Sequence, residues 1–336
     1  MPSLAGLAAA IEEQLLVPTY GSRWPLAPIT AHRGLAFPMQ LTGPRRGCTV
    51  SGPEGDVRVA CVGREKLVAP IVACLFGRSA GTNIGTSLET RRGLWSPASL
   101  DRIEADLVVA EVHRWMAPRF RRAGWVIVPD AVRWYGELSG TPARCRSLRS
   151  DLQKLARQGF TLTQRTSPAD WELFATRMVV PQARARFGHE AWIPSRRLLR
   201  RLERIATLHL IRQGEQVVAG FCSVQSGDTL WLPISGVLDG DPDLFRRGAS
   251  LAPLALGIAW ARAQGYRRID AGRTSPFLSD GVQRLKRKWG LLPAPDPLAH
   301  VAAVRVASAS ARAAFAREPV LVESDAGLAT YRGEDA

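Results

Sequence analysis

The clearest alternation of apolar and polar positions in this 336-residue chain lies in its second half. "SLRSDLQKLARQG" spaces Leu148, Leu152 and Leu155 along one helical face and sets Arg146, Arg149, Gln153 and Arg157 on another, with Ser147 as N-cap and Gly159 as C-cap. "FTLTQRT" alternates as a strand, and "SPADWELFATRMVV" predicts a helix capped by Ser167 with Pro168 in its first turn. "SRRLLRRLERIA" places Leu198, Leu202 and Ile205 on a buried stripe and arginines on the rest. Three strands follow, "ATLHLIR", "QVVAGFCSVQSG" and "TLWLPISGVL", joined by the short turns "QGE" and "SGD". A long helix over 243–264 stops at Gly265. After it come the strand "YRRIDAG", the loop "RTSPFLSDG" and a short helix carrying "GVQRLKRKWG".

The first half reads less regularly. "DVRVACVGR" alternates as a strand, "LVAPIVACLFG" predicts a buried helix closed by Gly77, and "ADLVVAEV" a short strand. "HRWMAPRFRRAG" predicts a helix with Gly124 as C-cap, and "WVIVPDAVRWYGEL" strands around a turn. The turn-rich stretch "GELSGTPARCRS" at 136–147 is the best domain junction. The expected divisions are therefore 1–145, 146–306 and a C-terminal helix and tail over 307–336. The overall class is α+β (mixed α/β).

Composition narrows the function. A hydrophobic share of 46% with 22% charged residues is that of a folded globular protein. The formal charge of +15 is uneven: residues 144–212 hold fifteen basic side chains against five acidic ones. Such a surplus fits either a solvated basic face or a surface for phosphate-rich partners. Five cysteines without a C-x-x-C pair suggest reduced thiols in a cytoplasmic protein, and five scattered histidines suggest no metal site. The opening "MPSLAGLAAAIEEQLLV" reads as a short amphipathic helix, and the longest apolar run, Leu251–Ala261, is too short to span a bilayer, so no membrane insertion is expected. No phosphate-loop, dinucleotide or serine-hydrolase motif occurs.

The order helix, strand, helix, three-strand meander, helix, strand, helix, strand resembles the GNAT acyltransferase fold. Over 146–306 the chain is similar to the Fem-type branch of aminoacyl-tRNA-dependent peptidyltransferases. The likeness rests on "RSDLQKLARQGF", on the step "AWARAQGYRRIDAG", and on "GVQRLKRKWG". The last matches a Gly-x-x-x-apolar-Lys-x-x-aromatic-Gly signature through Gly281, Leu285, Lys286, Trp289 and Gly290. The resemblance implies tandem GNAT-like domains, the second a twisted, mostly antiparallel sheet flanked by helices. One departure stands out. Acyl-CoA enzymes of this fold carry an Arg/Gln-x-x-Gly-x-Gly/Ala loop whose backbone N–H groups hold the pyrophosphate. Here its places fall on Phe245, Gly248 and Ser250, with Asp239, Asp241 and Asp243 nearby, although Arg246 and Arg247 could still meet phosphate.

The resemblance therefore implies an N-acyltransferase with aminoacyl-tRNA as donor, a small-molecule or peptide amine as acceptor, and no resident cofactor. Acyl-CoA as donor is the first alternative, and a non-catalytic nucleic-acid-binding protein the second. Lys286 is the implied catalytic cation at the reacting carbonyl. A lysine suits that place as a compact point charge, in a chain with four lysines and 41 arginines. The competing expectation is a solvated Lys286 on an exposed helix. Asp270 is a candidate base or amine anchor. Arg273, Thr274, Arg246, Arg247 and Trp289 are candidates for donor or substrate binding. Arg149, Arg157, Arg196, Arg197, Arg200 and Arg201 are candidates for the tRNA backbone. Trp192, Trp231 and Trp260 are expected in core or pocket wall, without an assigned role.

Overall fold

A computed structural model describes residues 45–52, 55–77, 96–139, 146–165, 167–188, 191 and 193–334. The expected N-terminal helix, Cys145, His32, His189 and Trp192 lie outside them. The first part runs β1 (Arg45–Gly52), β2 (Gly55–Val62), α1 (Glu65–Phe76), α2 (Pro97–Asp101), β3 (Leu107–Val112), α3 (Ala117–Arg122), β4 (Val126–Pro129) and β5 (Val132–Glu137). The middle runs α4 (Arg146–Gln158), β6 (Phe160–Arg165), α5 (Pro168–Leu173), a π-helical turn (Phe174–Val179), α6 (Val180–Phe187), α7 (Arg196–Ile205), β7 (Thr207–Gln213), β8 (Gln216–Ser226) and β9 (Thr229–Val237). The last part runs α8 (Pro242–Arg247), α9 (Ala252–Ala263), β10 (Arg268–Thr274), α10 (Gly281–Lys288), β11 (Leu292–Pro295), β12 (Val301–Val306), α11 (Ala309–Arg317), β13 (Val320–Ser324) and β14 (Gly327–Tyr331).

Two mixed sheets organise these elements, in the orders β1-β2-β3-β12-β4 and β11-β5-β10-β9-β8-β7-β6. The fold is thus α+β, and the larger sheet is antiparallel except where β10 meets β9. The strands of "WVIVPDAVRWYGEL" do not pair: β4 closes the smaller sheet and β5 enters the larger one. β12 returns in the opposite sense, into the smaller sheet between β3 and β4. The expected boundaries at 145 and 306 therefore do not coincide with the division between the sheets. Local periodicity carries no signal for such an exchange, because both partners of each ladder read as ordinary strands.

The smaller sheet is covered on both faces, which is why β3 is buried at every position. One face packs Val59, Val109 and Val304 against α1 and α11, and the other packs Val108, Ile127 and Ala303 against Leu100, Phe120 and Trp125. The segment after 306 belongs to this core. Phe315 of α11 is fully buried, β13 supplies Val320, and the β13 backbone is tied to the loop before α10 through Leu278 N–H to Pro319 O and Leu321 N–H to Pro276 O.

Around the larger sheet, Leu148 and Leu155 of α4 pack with α9 on one face. Leu198 and Leu202 of α7, with Trp171, Phe174 and Met178, cover Leu208, Leu210 and Cys222 on the other. The π-helical turn has a simple cause. Pro181 has no N–H for the carbonyl of Arg177, and the ladder widens so that Val180 N–H reaches Ala175 O. The turn lies directly on β9 at Gly236, where a Cβ would come within 2.5 Å of the Met178 carbonyl carbon.

Three local expectations shift. Ile205, expected on the buried stripe of α7, is 45% exposed. α4 begins at Arg146, so Ser147 lies inside the helix instead of capping it. The helix over 243–264 is two helices, broken at Gly248 with φ +96°. Phe315→Ala should lower the unfolding free energy by about 3–5 kcal/mol, read as a lower urea midpoint. A midpoint within error of wild type would show that the C-terminal segment lies outside the core.

Candidate active site

β9 and β10 run parallel but pair over three residues only, Thr229–Trp231 with Arg268–Asp270. Beyond Asp270 the β9 ladder stops, and a bulge between Asp270 and Arg273 interrupts pairing with β5 on the other side. Gly272 makes the turn in this bulge possible, at φ +74°. Several charged side chains meet in this opening.

α10 delivers Lys286 to it. Asp280 caps the helix, its Oδ1 accepting from the N–H groups of Val282 (2.7 Å) and Gln283 (2.8 Å). The inward face consists of Gln283, Lys286 and Trp289, spaced three residues apart. Lys286 is 6% exposed, and its Nζ donates to the carbonyls of Gly272 and Arg273 at 3.1 Å each. Burial drives its ammonium down to about 7; Asp270 and Asp280 oppose the shift, and Arg133 adds to it. The side chain is not on the solvated face of its helix.

Asp270 faces Arg133 of β5, with 2.5 Å between the guanidinium and Oδ2, while Oδ1 accepts from Gly272 N–H at 2.9 Å. Burial raises its carboxyl above the ordinary value against the pull of Arg133. Both oxygens are thus engaged in holding the site together. Arg133 is itself buried, with its guanidinium carbon 5.5 Å from the Trp231 ring centre and 5.8 Å from that of Tyr135. Burial pushes the Tyr135 hydroxyl up to about 12.

The other candidates are distributed as follows. Arg273 lies at the opening, with Nε 2.7 Å from Asp296 Oδ2 and Nη2 3.5 Å from Asp130 Oδ1. Thr274 accepts from Trp134 Nε1 at 2.7 Å and donates to Ser275 O at 3.0 Å, so its one O–H donor is used. Trp289 packs in the core with Trp134, Ile258 and Ile269. Arg246 pairs with Asp243, and Arg247 donates to Gln213 Oε1 at 2.8 Å. Gln213 ends β7, and both β8 and β9 separate β7 from β10, so neither arginine reaches Lys286. At Gly248 the N–H groups of Ala249, Leu251 and Ala252 all donate to nearby carbonyls.

The tRNA candidates divide between the two faces of the sheet. Arg149 and Arg157 lie exposed on α4, and Arg196, Arg197 and Arg200 exposed on α7, with Arg201 half-buried. α4 and α7 cover opposite faces, so these side chains form no single patch. α4 is the helix joined to the site: its Asp151 meets Lys288 of α10 at 2.5 Å. Among the described residues no cluster of His, Cys, Asp and Glu could hold a metal, and no helix is long and apolar enough to cross a membrane.

Sequence reasoning missed Arg133, Asp130 and Asp296. The one local signal was an arginine set between the apolar Val132 and Trp134.

Residues 142–287 match the model of the acetyltransferase (GNAT) domain family, so the chain carries a GNAT acyltransferase domain over that stretch. No curated protein matches it in sequence. Among solved structures, L-PGS from Bacillus licheniformis is 12% identical, covering 89% of this chain and 92% of its own at a TM-score of 0.40. FemX is 10% identical, covering 88% and 95% at 0.40. A GCN5-related N-acetyltransferase from Kribbella flavida is 12% identical, covering 98% and 83% at 0.31. Similarity this distant carries no argument about substrate or partner.

The Arg133–Asp270 pair makes a direct prediction. Removing one member leaves a buried charge uncompensated, so Arg133→Met should cost about 3–5 kcal/mol. Arg133→Met with Asp270→Leu should cost clearly less than the two single changes added together. Urea unfolding at pH 7 measures all three, and strict additivity would mean that the pair is not coupled.

Proposed function

We propose that this chain is a Fem-type N-acyltransferase that moves an aminoacyl group from aminoacyl-tRNA to an amine on a small molecule or peptide. The carrying observation is Lys286, buried where β9 and β10 part, with two backbone carbonyls accepting from its Nζ. An ammonium has three N–H donors, so one is left for an incoming oxygen. When the acceptor amine attacks the ester carbonyl, negative charge grows on the carbonyl oxygen. A cation at that oxygen in a dry site stabilises it by about 3–4 kcal/mol. Collapse breaks the bond to the tRNA ribose oxygen, which takes up a proton, while the attacking nitrogen loses one and the amide forms. Asp270 and Arg133 hold the backbone and the field around Lys286.

The tRNA donor draws support from the altered loop at Gly248, where the N–H groups of Ala249, Leu251 and Ala252 are already engaged, and from the basic outer face of α4 beside α10. On this reading Arg149 and Arg157 guide the donor, and the arginines of α7, across the sheet, do not. Acyl-CoA remains the second reading, favoured by the match to an acetyltransferase domain.

The test is transfer of labelled amino acids from total charged tRNA to an amine pool, with acetyl-CoA in parallel. Wild type should move label from tRNA, and Lys286→Met should be slower by about 10²–10³-fold. Product from acetyl-CoA alone would assign the protein to the second reading. The active form is the ammonium, which is lost as pH rises through about 7. The rate ratio of wild type to Lys286→Met should therefore shrink toward one above that pH; a growing ratio would make Lys286 a base. Reversing Arg149 and Arg157 to Glu should weaken tRNA binding and lower its log–log salt slope by about 1–2. The same reversal at Arg196 and Arg200 should leave the slope unchanged, as filter binding at several salt concentrations would show.

A further inference from the structure

The carbonyls that accept from Lys286 sit at the break in the β10 ladders, Gly272 within it and Arg273 where pairing with β5 resumes. The β9 ladder has ended, the β5 ladder is interrupted, and Gly272 lies at φ +74°. A glycine-containing bulge keeps two carbonyls aimed at one ammonium only if both of its ends are fastened. Asp270 fastens one end, through Gly272 N–H at 2.9 Å.

At the other end Arg273 and Thr274 rejoin the β5 ladder opposite Arg133 and Val132, and the Arg273 side chain adds a second fastening there. Its two carboxylate partners lie in the two segments by which the chain passes between sheets: Asp130 between β4 and β5, and Asp296 between β11 and β12. Those segments are bound to each other, since Asp130 N–H donates to His300 O at 2.8 Å. Asp296 is fully buried, and its Oδ1 also accepts from Leu298 N–H at 2.9 Å. Its carbonyl accepts from Ala299 N–H and from Arg114 Nη2, both at 3.0 Å, and Arg114 pairs with Glu323 of β13 at 2.7 Å. Arg273 is therefore tied to a rigid knot and not to a mobile loop.

Resting on the role given above to Lys286, we propose that Arg273 is a positioning residue. Its guanidinium, clamped by Asp296 and Asp130, fixes the bulge whose carbonyls aim the Lys286 ammonium, and so ties the reacting centre to the crossings between the sheets. It acts through its own backbone, where the sequence suggested donor binding. The planar fork is needed because it spans two carboxylates at once, and a lysine at 273 would serve only one.

The four lysines of the chain allow a direct test. Selective ¹³C labelling of lysine gives four side-chain Cε signals, and Lys286→Met shows which belongs to position 286. The charged groups acting on that amine are Asp270, Arg133 and Asp280, all unchanged in the variants below. In wild type the signal should titrate near about 7. In Arg273→Lys and Asp296→Asn its midpoint should rise by about 1, as the ammonium leaves its cradle and meets water. Asp130→Asn, at the half-buried end of the clamp, should raise it less. A folded Arg273→Lys with the Lys286 midpoint unmoved overturns the proposal. If Arg273→Lys and Asp296→Asn do not fold, Asp130→Asn decides, and no rise there overturns it equally. The titration needs no substrate, so a wild type without aminoacyl transfer would remove that activity and leave the clamp to be judged by the lysine signal.

Discussion

Everything around the opening between β9 and β10 follows from placing a lysine ammonium out of water. An isolated buried cation is costly, and the structure meets that cost with oxygen: two carbonyls in contact and the carboxylates of Asp270 and Asp280 acting from further away. Arg133 then compensates Asp270, so the centre holds two cations and one buried carboxylate. On the proposed function, the Lys286 ammonium would face the place where acyl transfer develops negative charge. The parted strands, the bulge at Gly272 and the cap at Asp280 are the backbone conditions for that arrangement.

The same constraint explains the division of labour among the candidate residues. Thr274 and Trp289 have their polar or apolar surfaces used by the core, and Arg246 and Arg247 stand across the sheet from the opening. Asp270, a natural candidate for a base when met as a strand-end carboxylate, has both oxygens engaged. The amine of Lys286 keeps one N–H donor beyond its two carbonyl partners.

Much of this could be read from the sequence where the information is local. The meander β7–β9, the C-capping glycines at 159 and 265, and the Ser167 cap followed from periodicity and turn chemistry, and the signature around Lys286 lies on a helix that turns that lysine inward. What escaped was non-local. Arg133 lies 137 positions from Asp270, and nothing near either residue names the other. Arg149 and Arg196 both sit in one basic stretch of sequence, yet the meander turns their helices to opposite faces. The exchange of β5 and β12 escaped for the same reason, since strand pairing is decided by the whole sheet.

That exchange bears on how the chain acquires its fold. β12 is an inner strand of the smaller sheet, so β3 and β4 cannot be bridged until residue 306 has left the ribosome. Until then, two strands rich in Val and Ile present unpaired edges while the larger sheet is still being synthesised. Of the two mixed sheets, the one that begins first in sequence is completed last. Folding from the N-terminus outward, the ordinary route for successive domains, is not open to it. Long-range pairings of this kind are slow to form in general, because loop-closure entropy is spent before the contacts are made.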